Sequence, residues 1–284
     1  MYKIVACDLD ETLLDTNHHK VPERNRIAVR RAKELGVWFV PCSGRGSASM
    51  QGTLKELGLG GQPGQYTIGF NGGSIIENTG KTIYFQGISF ETARLLFEKS
   101  LQYDVCFHIY TDRDVYIRNI NPDEEAFLLG RQDYSLFEGK DIDFLEGRLI
   151  SKVLYQNTDL DLLHRIHAEM EPVIAGESGT DQLSVSYSSN RYIEFNKAGV
   201  DKGSGLLRLA DLLGVPYDEV IAIGDNNNDI SMIRAAGLGC GVANATEETR
   251  AFCDFIAEND CDRGGVGEII EKFILMPAAG SERS

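Results

Sequence analysis

Short apolar runs alternate with helical patterns at both ends of this chain, and this alternation limits the choice of fold more than any other feature. Residues 2–7, 37–42 and 66–70 are typical of buried strands, and residues 22–35 carry a helical pattern that begins at a proline and stops before a glycine. The same alternation returns in residues 203–275. Strands that alternate with helices pair in parallel and place helices on both faces of the sheet. We therefore predict an α/β fold whose core is a Rossmann-like, doubly wound parallel sheet.

The segment between these two stretches has a different pattern. Residues 105–118 and 183–195 each contain two β-rich runs separated by a short polar turn, which is typical of hairpins. We predict a discontinuous core of residues 1–83 and 196–284, interrupted by an inserted α+β cap domain of residues 84–195. An inserted domain beside the ligand-binding edge of a sheet is well placed to act as a lid.

Composition and charge exclude several classes of protein. The formal net charge is −15, whereas a protein that binds nucleic acid needs a basic surface, so we expect no nucleic-acid partner. No apolar run is long enough to cross a bilayer, and acidic residues come too early for a secretory signal. The six cysteines match no zinc spacing, and we interpret them as free thiols. These features together favour a cytoplasmic protein with no membrane partner.

Polar and charged residues follow several of the predicted core strands. Because ligands bind at the carboxyl ends of the strands in an open parallel sheet, we expect these residues to meet at one edge. Asp8 and Asp10 follow the first strand, Ser43 and Gly44 follow the second, and Asp225 and Asp229 follow the strand of residues 220–223. Lys202 begins the helix after the insert.

These residue types suit phosphate chemistry. Clustered carboxylates are hard oxygen ligands of the kind that Mg²⁺ takes together with a phosphate. The Ser43 hydroxyl and the Gly44 amide can donate to phosphate oxygens, and Lys202 offers a positive charge. Asp8 and Asp10 lie two residues apart, so the strand must turn locally if both are to serve one site. One carboxylate can then act as nucleophile and the other as general acid.

Four short motifs occur in order along the chain: Asp8-Leu9-Asp10-Glu11-Thr12-Leu13-Leu14, Ser43-Gly44-Arg45, Lys202-Gly203 and Gly224-Asp225-Asn226-Asn227-Asn228-Asp229. They resemble the motifs of the haloacid dehalogenase superfamily of phosphatases. Three further segments, Asn71-Gly72-Gly73, Asn244-Ala245 and Gly199-Val200-Asp201-Lys202, resemble the Cof-like subgroup, which carries a large α/β cap of type IIB. The resemblance covers both halves of the core, while the insert matches only in size, position and strand pattern.

The resemblance implies a role for each matched position. Asp8 would attack phosphorus and become an aspartyl phosphate, and Asp10 would protonate the leaving alcohol and then activate water. Mg²⁺ would be held by Asp8, by the Asp10 carbonyl and by Asp225, with Asp229 assisting directly or through water. The phosphoryl group would be held by Ser43, Gly44, Lys202 and Asn228.

We therefore predict a Mg²⁺-dependent phosphatase that hydrolyses small phosphorylated metabolites, sugar phosphates among them, through an aspartyl-phosphate intermediate. Three alternatives stay open. A phosphoglucomutase-type phosphoryl transferase would return the phosphoryl group to its substrate, a phospho-accepting signalling domain would keep it, and a metabolite-binding protein would not turn over. Taken alone, Asp8 and Asp10 could be solvated residues of a strand-end turn. The sequence does not predict the oligomeric state.

Overall fold

The computed structural model describes residues 1–177 and 179–276, and the chain forms two sheets with helices around them. Fourteen strands are present in the described part, in chain order β1 (Ile4–Asp8), β2 (Trp38–Cys42), β3 (Tyr66–Gly69), β4 (Ser74–Glu77), β5 (Lys81–Phe85), β6 (Cys106–Thr111), β7 (Val115–Arg118), β8 (Ser135–Leu136), β9 (Ile150–Gln156), β10 (Leu183–Ser188), β11 (Tyr192–Lys197), β12 (Val220–Gly224), β13 (Leu238–Gly241) and β14 (Phe255–Ile256).

Ten α-helices connect or flank these strands in the described residues. Single helical turns occur as well, and the ones that matter for the site are Leu9–Leu13, Phe70–Gly72 and Asn227–Asp229. The helices are α1 (Glu23–Glu34), α2 (Gln51–Glu56), α3 (Phe90–Ser100), α4 (Pro122–Leu128), α5 (Leu160–Glu169), α6 (Glu171–Ile174), α7 (Lys202–Leu213), α8 (Ile230–Ala235), α9 (Glu247–Arg250) and α10 (Gly265–Ile270).

The chain divides into two compact units. The core unit is Met1–Tyr84 together with the chain from Asp201 onward, and the inserted unit is Phe85–Val200. The second boundary therefore lies after Val200, not after residue 195 as the sequence pattern indicated, because β11 continues to Lys197 within the sheet of the insert. Residues 277–284 of the predicted core lie outside the described part of the chain.

The core unit contains an eight-stranded sheet in the order β14-β13-β12-β1-β2-β3-β4-β5. The strands from β14 to β3 pair in parallel, which confirms the predicted fold class, and β4 adds an antiparallel strand beside β3. Side chains of β1 alternate between the two faces: Val5 and Cys7 join the cluster that includes α1 and α10, whereas Ile4 and Ala6 join the cluster that includes α7. Both faces of the sheet are thus buried.

The start of α7 packs closely against the turn that follows β3. Gly72 in that turn has φ +98°, and a Cβ atom there would lie 1.9 Å from the Asp201 carbonyl oxygen. Asp201 caps α7, since its side chain accepts from the Ser204 amide at 2.8 Å and its own amide donates to the Ser204 hydroxyl at 3.0 Å. A glycine at position 72 therefore lets the first helical residue, Lys202, reach the sheet edge.

The inserted unit contains a six-stranded sheet in the order β10-β11-β9-β6-β7-β8. One face is apolar and packs against α3 and α5, with Phe107, Tyr155 and Phe195 among its largest buried side chains. The opposite face carries several polar residues: His108 on β6 and Glu194 on β11 lie on either side of Leu154 on β9, and Lys152 on β9 lies opposite Asn196. The insert is thus an α+β domain with its own hydrophobic core.

Within the described residues, no helix combines the length and the apolar character that a bilayer crossing requires.

Candidate active site

Asp8 ends β1 at the centre of the core sheet, between β2 and β12. It is 8% exposed, and the Lys202 ammonium, which is fully buried, donates to Asp8 Oδ1 at 2.5 Å. In the described part of the chain, no hydrogen-bond donor contacts the second oxygen of Asp8. One carboxylate oxygen is therefore fixed by a buried cation, while the other keeps its lone pairs for a reaction partner.

Asp225 and Asp229 lie in the loop that follows β12, the strand beside β1. Lys202 donates to Asp229 Oδ1 at 2.5 Å, and the amides of Asp225 and Asn226 donate to Asp229 Oδ2 at 2.9 and 3.0 Å. A Cβ at Gly224 would lie 2.4 Å from the Asp229 Cβ, so the fold needs glycine there. Both Asp229 oxygens are engaged by the chain, so this carboxylate orients Lys202 and the loop.

Three buried carboxylates form a compact group at this edge. One oxygen from each of Asp8, Asp225 and Asp229 lies within 4.8 Å of the others. Burial raises the pKa of Asp8, and the charge of Asp229 adds to this effect while Lys202 opposes it. Burial likewise raises the pKa of Asp225 to about 6, against the hydrogen bond from Thr12. Three carboxyl groups therefore face one lysine, and ionisation of all three is unfavourable unless a further positive charge lies beside them, which is the condition that favours a bound cation.

This donor set fits Mg²⁺. It offers only carboxylate oxygens, which hard divalent cations prefer, and it lacks the thiolates and imidazoles that attract softer metals. Thr12 donates to Asp225 Oδ1 at 2.5 Å, which orients that carboxylate. A divalent cation would also relieve the repulsion that raises the pKa of Asp8 and of Asp225. The residues that could hold it are Asp8 and Asp225, with Asp229 supporting them.

Asp10 lies in the tight turn Leu9–Leu13 that follows β1. Glu11 in this turn has φ 58°, and that local reversal is the turn that the sequence analysis required after Asp8. The Asp10 carboxylate lies outside the three-carboxylate group. It pairs with the Arg45 guanidinium, which donates from Nε to Oδ2 at 2.9 Å and from Nη2 to Oδ1. Such two-point contacts fix the plane of a carboxylate.

Ser43 and Gly44 follow β2, whose last residue, Cys42, lies opposite Asp8. The Ser43 hydroxyl oxygen accepts from the Arg45 amide at 3.1 Å, so its own proton remains available for a ligand. A Cβ at Gly44 would lie 3.2 Å from the carboxamide of Asn71, which in turn accepts weakly from Asn228 at 3.4 Å. This second group of predicted residues therefore lies beside the carboxylates, with Asn228 at its exposed side.

The sequence analysis gave no role to four residues that contact the site. Arg45 holds Asp10, Thr12 holds Asp225, Asn71 lies against Gly44, and Asn244 donates to the Glu11 carbonyl at 2.7 Å. All four stand inside motifs that the sequence analysis quoted. Their position in a motif was the available signal, but their contacts depend on how the turns are folded.

Comparisons with known proteins agree with this geometry. A model of the haloacid dehalogenase-like hydrolases matches residues 5–270. The Bacillus subtilis protein YxeH is 30% identical over 97% of this chain and 99% of its own length. A haloacid dehalogenase-like hydrolase from Bacteroides thetaiotaomicron superposes with a TM-score of 0.80 at 30% identity, over 95% of this chain and 99% of that one. A subclass IIB sugar phosphatase of the superfamily, 18% identical, shares the fold with a TM-score of 0.77 over 95% of this chain and 98% of its own.

Fold, site and relatives together define an enzyme of the hydrolase class that acts on phosphate esters. The chain belongs to the haloacid dehalogenase-like hydrolase family, which confirms the family resemblance of its motifs. It shares its fold with a solved subclass IIB enzyme of the superfamily.

Proposed function

We propose that the protein is a Mg²⁺-dependent phosphatase that hydrolyses small phosphorylated metabolites through an aspartyl phosphate on Asp8. One observation carries the proposal: the Asp8 carboxylate has one oxygen bonded to buried Lys202 and lies in a group of buried carboxylates at the edge of the sheet. A structural ion pair needs one carboxylate for each lysine. The surplus carboxylates here indicate a site built for a cation and an anionic substrate.

The reaction that these residues support has two steps. An Asp8 oxygen forms a bond to phosphorus while the ester bond breaks, and Asp10 gives its proton to the departing alcohol oxygen. Water then attacks the phosphorus, Asp10 takes its proton, and the bond to Asp8 breaks to release inorganic phosphate. Lys202, the Ser43 hydroxyl and the Gly44 amide hold the phosphoryl oxygens, with Asn228 at the outer side.

Asp8, the Asp10 carbonyl and Asp225 would hold the metal. When bound, Mg²⁺ would neutralise charge between the carboxylates and the phosphoryl oxygens. Asp229 supports this arrangement from behind, because its contacts with Lys202 and with the Asp225 and Asn226 amides fix the two neighbouring side chains and the loop.

Two relatives support the reaction but differ in substrate. The Bacillus subtilis protein YwtE, 26% identical over 96% of this chain, is named as a phosphatase of 5-amino-6-(5-phospho-D-ribitylamino)uracil. A Methanospirillum hungatei relative, 29% identical over 90% of this chain, is named as a phosphoglycolate phosphatase. Their substrates share a phosphate ester and little else. Overall identity at this level therefore favours phosphate-ester hydrolysis and leaves the alcohol part of the substrate open.

We propose that the insert determines which alcohol part is accepted. It is joined to the core by two chain crossings only, at Tyr84–Phe85 and Val200–Asp201, so it can vary without disturbing the carboxylate group. The test is to replace the insert with a short linker, confirm folding, and assay an aryl phosphate beside the best metabolite. Preference for the metabolite should collapse while aryl phosphate hydrolysis survives. A preference that persists without the insert would place specificity in the core.

The experiment that tests the whole proposal is a substrate screen. Purified protein with Mg²⁺ is incubated with a panel of phosphorylated metabolites, and released phosphate is measured beside the Asp8→Asn variant prepared in parallel. Phosphate release by the wild type alone supports the proposal. No release from any metabolite or aryl phosphate would contradict it.

Product analysis on the same samples separates the alternatives. A phosphatase yields the free alcohol and phosphate, while a phosphoglucomutase-type enzyme yields an isomeric sugar phosphate. A signalling domain would hold a stable phosphoryl group on Asp8 without turnover. The similarity to named phosphatases favours the first outcome.

A further inference from the structure

The turn that carries Asp10 is held in an unfavourable backbone conformation. Asp10 has φ −72° and ψ 127°, and the next residue, Glu11, has φ 58° and ψ 9°. A non-glycine residue in the left-handed region is uncommon and persists only where surrounding contacts hold it. A contact that holds the Glu11 carbonyl therefore also influences the position of Asp10.

One side chain from a distant part of the chain holds this carbonyl. Asn244 Nδ2 donates to the Glu11 carbonyl at 2.7 Å, and the Cys261 amide donates to Asn244 Oδ1 at 2.9 Å. Asn244 itself lies in the turn after β13, which is fixed by the bond from the Ala245 amide to the Val242 carbonyl at 3.0 Å. The carboxamide thus bridges the turn of Asp10 to the segment that contains Cys261.

A second contact joins the same two regions. The Thr16 amide donates to Asp262 Oδ1 at 2.8 Å, and the Thr16 hydroxyl lies 3.0 Å from both oxygens of that carboxylate. Thr16 follows the turn and Asp262 follows Cys261, so the chain after the turn is tied to the same loop. Arg45 holds the Asp10 carboxylate itself.

We propose that Asn244 is a positioning residue for the general acid, because its bond to the Glu11 carbonyl fixes the backbone on which Asp10 is carried. The inference rests on the proposed role of Asp10 as the proton donor. Proton transfer requires the donor to lie within hydrogen-bond reach of the leaving oxygen, and a displacement of about 1 Å can lower a rate by about 100-fold. Loss of the Asn244 bond frees the Glu11–Thr12 peptide, one residue beyond Asp10, and lets the turn shift together with the Asp10 carboxylate.

The relative rates with leaving groups of different basicity depend on the position of the acid. A general loss of stability would lower all of these rates alike. p-Nitrophenolate departs with little help from an acid, whereas an alkoxide departs only when it is protonated. A misplaced acid therefore slows alkyl phosphates far more than p-nitrophenyl phosphate. The measured quantity is kcat/KM for a series of aryl and alkyl phosphates, expressed as the ratio of the two ends of the series.

Asn244→Asp is the main variant because it keeps the oxygen that accepts from Cys261 while it replaces the donor to Glu11 with a negatively charged acceptor. We expect about a tenfold loss on alkyl phosphates and less than about threefold on p-nitrophenyl phosphate, since general acids contribute about 100-fold or more in total. Asn244→Ala, which introduces no charge, should change the ratio in the same direction. Equal losses at both ends of the series, or none, would overturn the proposal.

Asn157 in the insert offers a matched control. Its Nδ2 donates to the Asp104 carbonyl at 2.7 Å and its Oδ1 accepts from the Asp159 amide at 2.8 Å, so it bridges two backbone segments as Asn244 does. Asn157→Asp should leave the ratio unchanged.

Asp10→Asn tests the role of Asp10 as the acid separately from its positioning by Asn244. If it shows no dependence on the leaving group, the proposed acid is wrong. If it shows that dependence and Asn244→Asp does not, positioning by Asn244 is wrong.

Discussion

Both units of this protein bury charged side chains, but the two buried groups differ in how their charges balance. In the insert, Lys152 forms an ion pair with Glu194, and the Ser188 hydroxyl donates to the same carboxylate at 2.5 Å. In the core, Lys202 alone faces Asp8 and Asp229, with Asp225 close to both. The buried group in the insert thus pairs one lysine with one carboxylate, whereas the buried group in the core has three carboxylates for one lysine.

The pKa values of the buried carboxyl groups report this difference. Burial raises the pKa of Glu194, but Lys152 and the Ser188 hydroxyl together outweigh it and the net shift is downward. Burial also raises the pKa of Asp8 and of Asp225, and Asp229 adds to the rise, so that the net shift stays upward against Lys202. Burial of a charge is therefore not by itself a sign of function. A surplus of like charge that the fold does not neutralise is the stronger indication of a ligand site.

The largest difference between the units should appear when a single carboxylate is replaced. We expect Asp8→Asn to lower kcat by at least about 1,000-fold on p-nitrophenyl phosphate, because a covalent nucleophile is lost. Glu194→Gln, the matched change in the insert, should leave this activity within about threefold of the wild type. Circular dichroism would confirm that both variants fold. Near-normal activity of pure Asp8→Asn protein would remove Asp8 from the proposed mechanism.

Metal removal should affect the carboxylate group of the core, Asp8, Asp225 and Asp229, and leave the Lys152–Glu194 pair of the insert unchanged. After exhaustive chelation we expect activity to fall by about 100-fold or more, and to return with Mg²⁺ but poorly with Ca²⁺, which takes more ligands at longer distances. Hydrogen exchange offers a second readout. Added Mg²⁺ should slow exchange in residues 8–13 and 224–229 and leave the strands of Lys152 and Glu194 unchanged. Full activity in metal-free protein would contradict the assignment.

Removal of each lysine tests the comparison through stability. Lys152→Met leaves buried Glu194 without a cation, with only the Ser188 hydroxyl bonded to it, which should lower the free energy of unfolding by about 3–5 kcal/mol. Lys202→Met should cost a similar amount without metal, but Mg²⁺ should restore part of it because the cation replaces the lost positive charge. The measurement is urea unfolding with and without Mg²⁺. If Mg²⁺ changed the free energy of unfolding of both variants equally, the core group would have no surplus of negative charge relative to the group in the insert.

The smallest expected effect is a pH dependence within the insert. Burial, with Lys152, lowers the pKa of His108 to about 3 from its ordinary 6.5, so the ring is neutral near pH 7 and its 3.5 Å approach to Glu124 is no ion pair. The unfolded chain binds a proton below pH 6.5 and the folded chain does so only near pH 3. Stability contributed by neutral His108 is therefore lost as pH falls through this window, at up to about 1.4 kcal/mol per pH unit.

Two variants locate this dependence. His108→Gln should flatten the stability curve between about pH 6.5 and pH 4. For Asp181, burial raises the pKa, but Lys197, Ser89 and Thr92 outweigh it and hold the pKa at about 2 against an ordinary 3.8. Asp181→Asn should therefore lower stability at every pH above about 4 and change the slope of the curve only below about pH 4. Thermal midpoints measured across this range by circular dichroism would check both, and an unchanged slope in His108→Gln would contradict the buried neutral histidine.

Several features could be predicted from sequence because they depend on strand order alone. The ends of adjacent parallel strands meet at one edge, so the residues after β1 and β12 had to approach each other, and Asp8 does lie in one group with Asp225 and Asp229. The sequence analysis missed β4 and β5, since these are short strands next to the predicted start of the insert. It also did not predict that the Asp10 carboxylate would lie outside the group of Asp8, Asp225 and Asp229 and pair with Arg45.

The sequence by itself determined the class of fold, the interruption by a second domain and the residue types at the reacting edge, because hydrophobic periodicity and strand order carry that information locally. Only the tertiary structure decided which of those residues are partners. The left-handed conformation of Glu11 turns Asp10 toward Arg45, and Asn244, more than two hundred residues further along the chain, holds that turn in place. Such contacts depend on a few backbone angles and on segments that meet only after folding, and no spacing in the sequence encodes them.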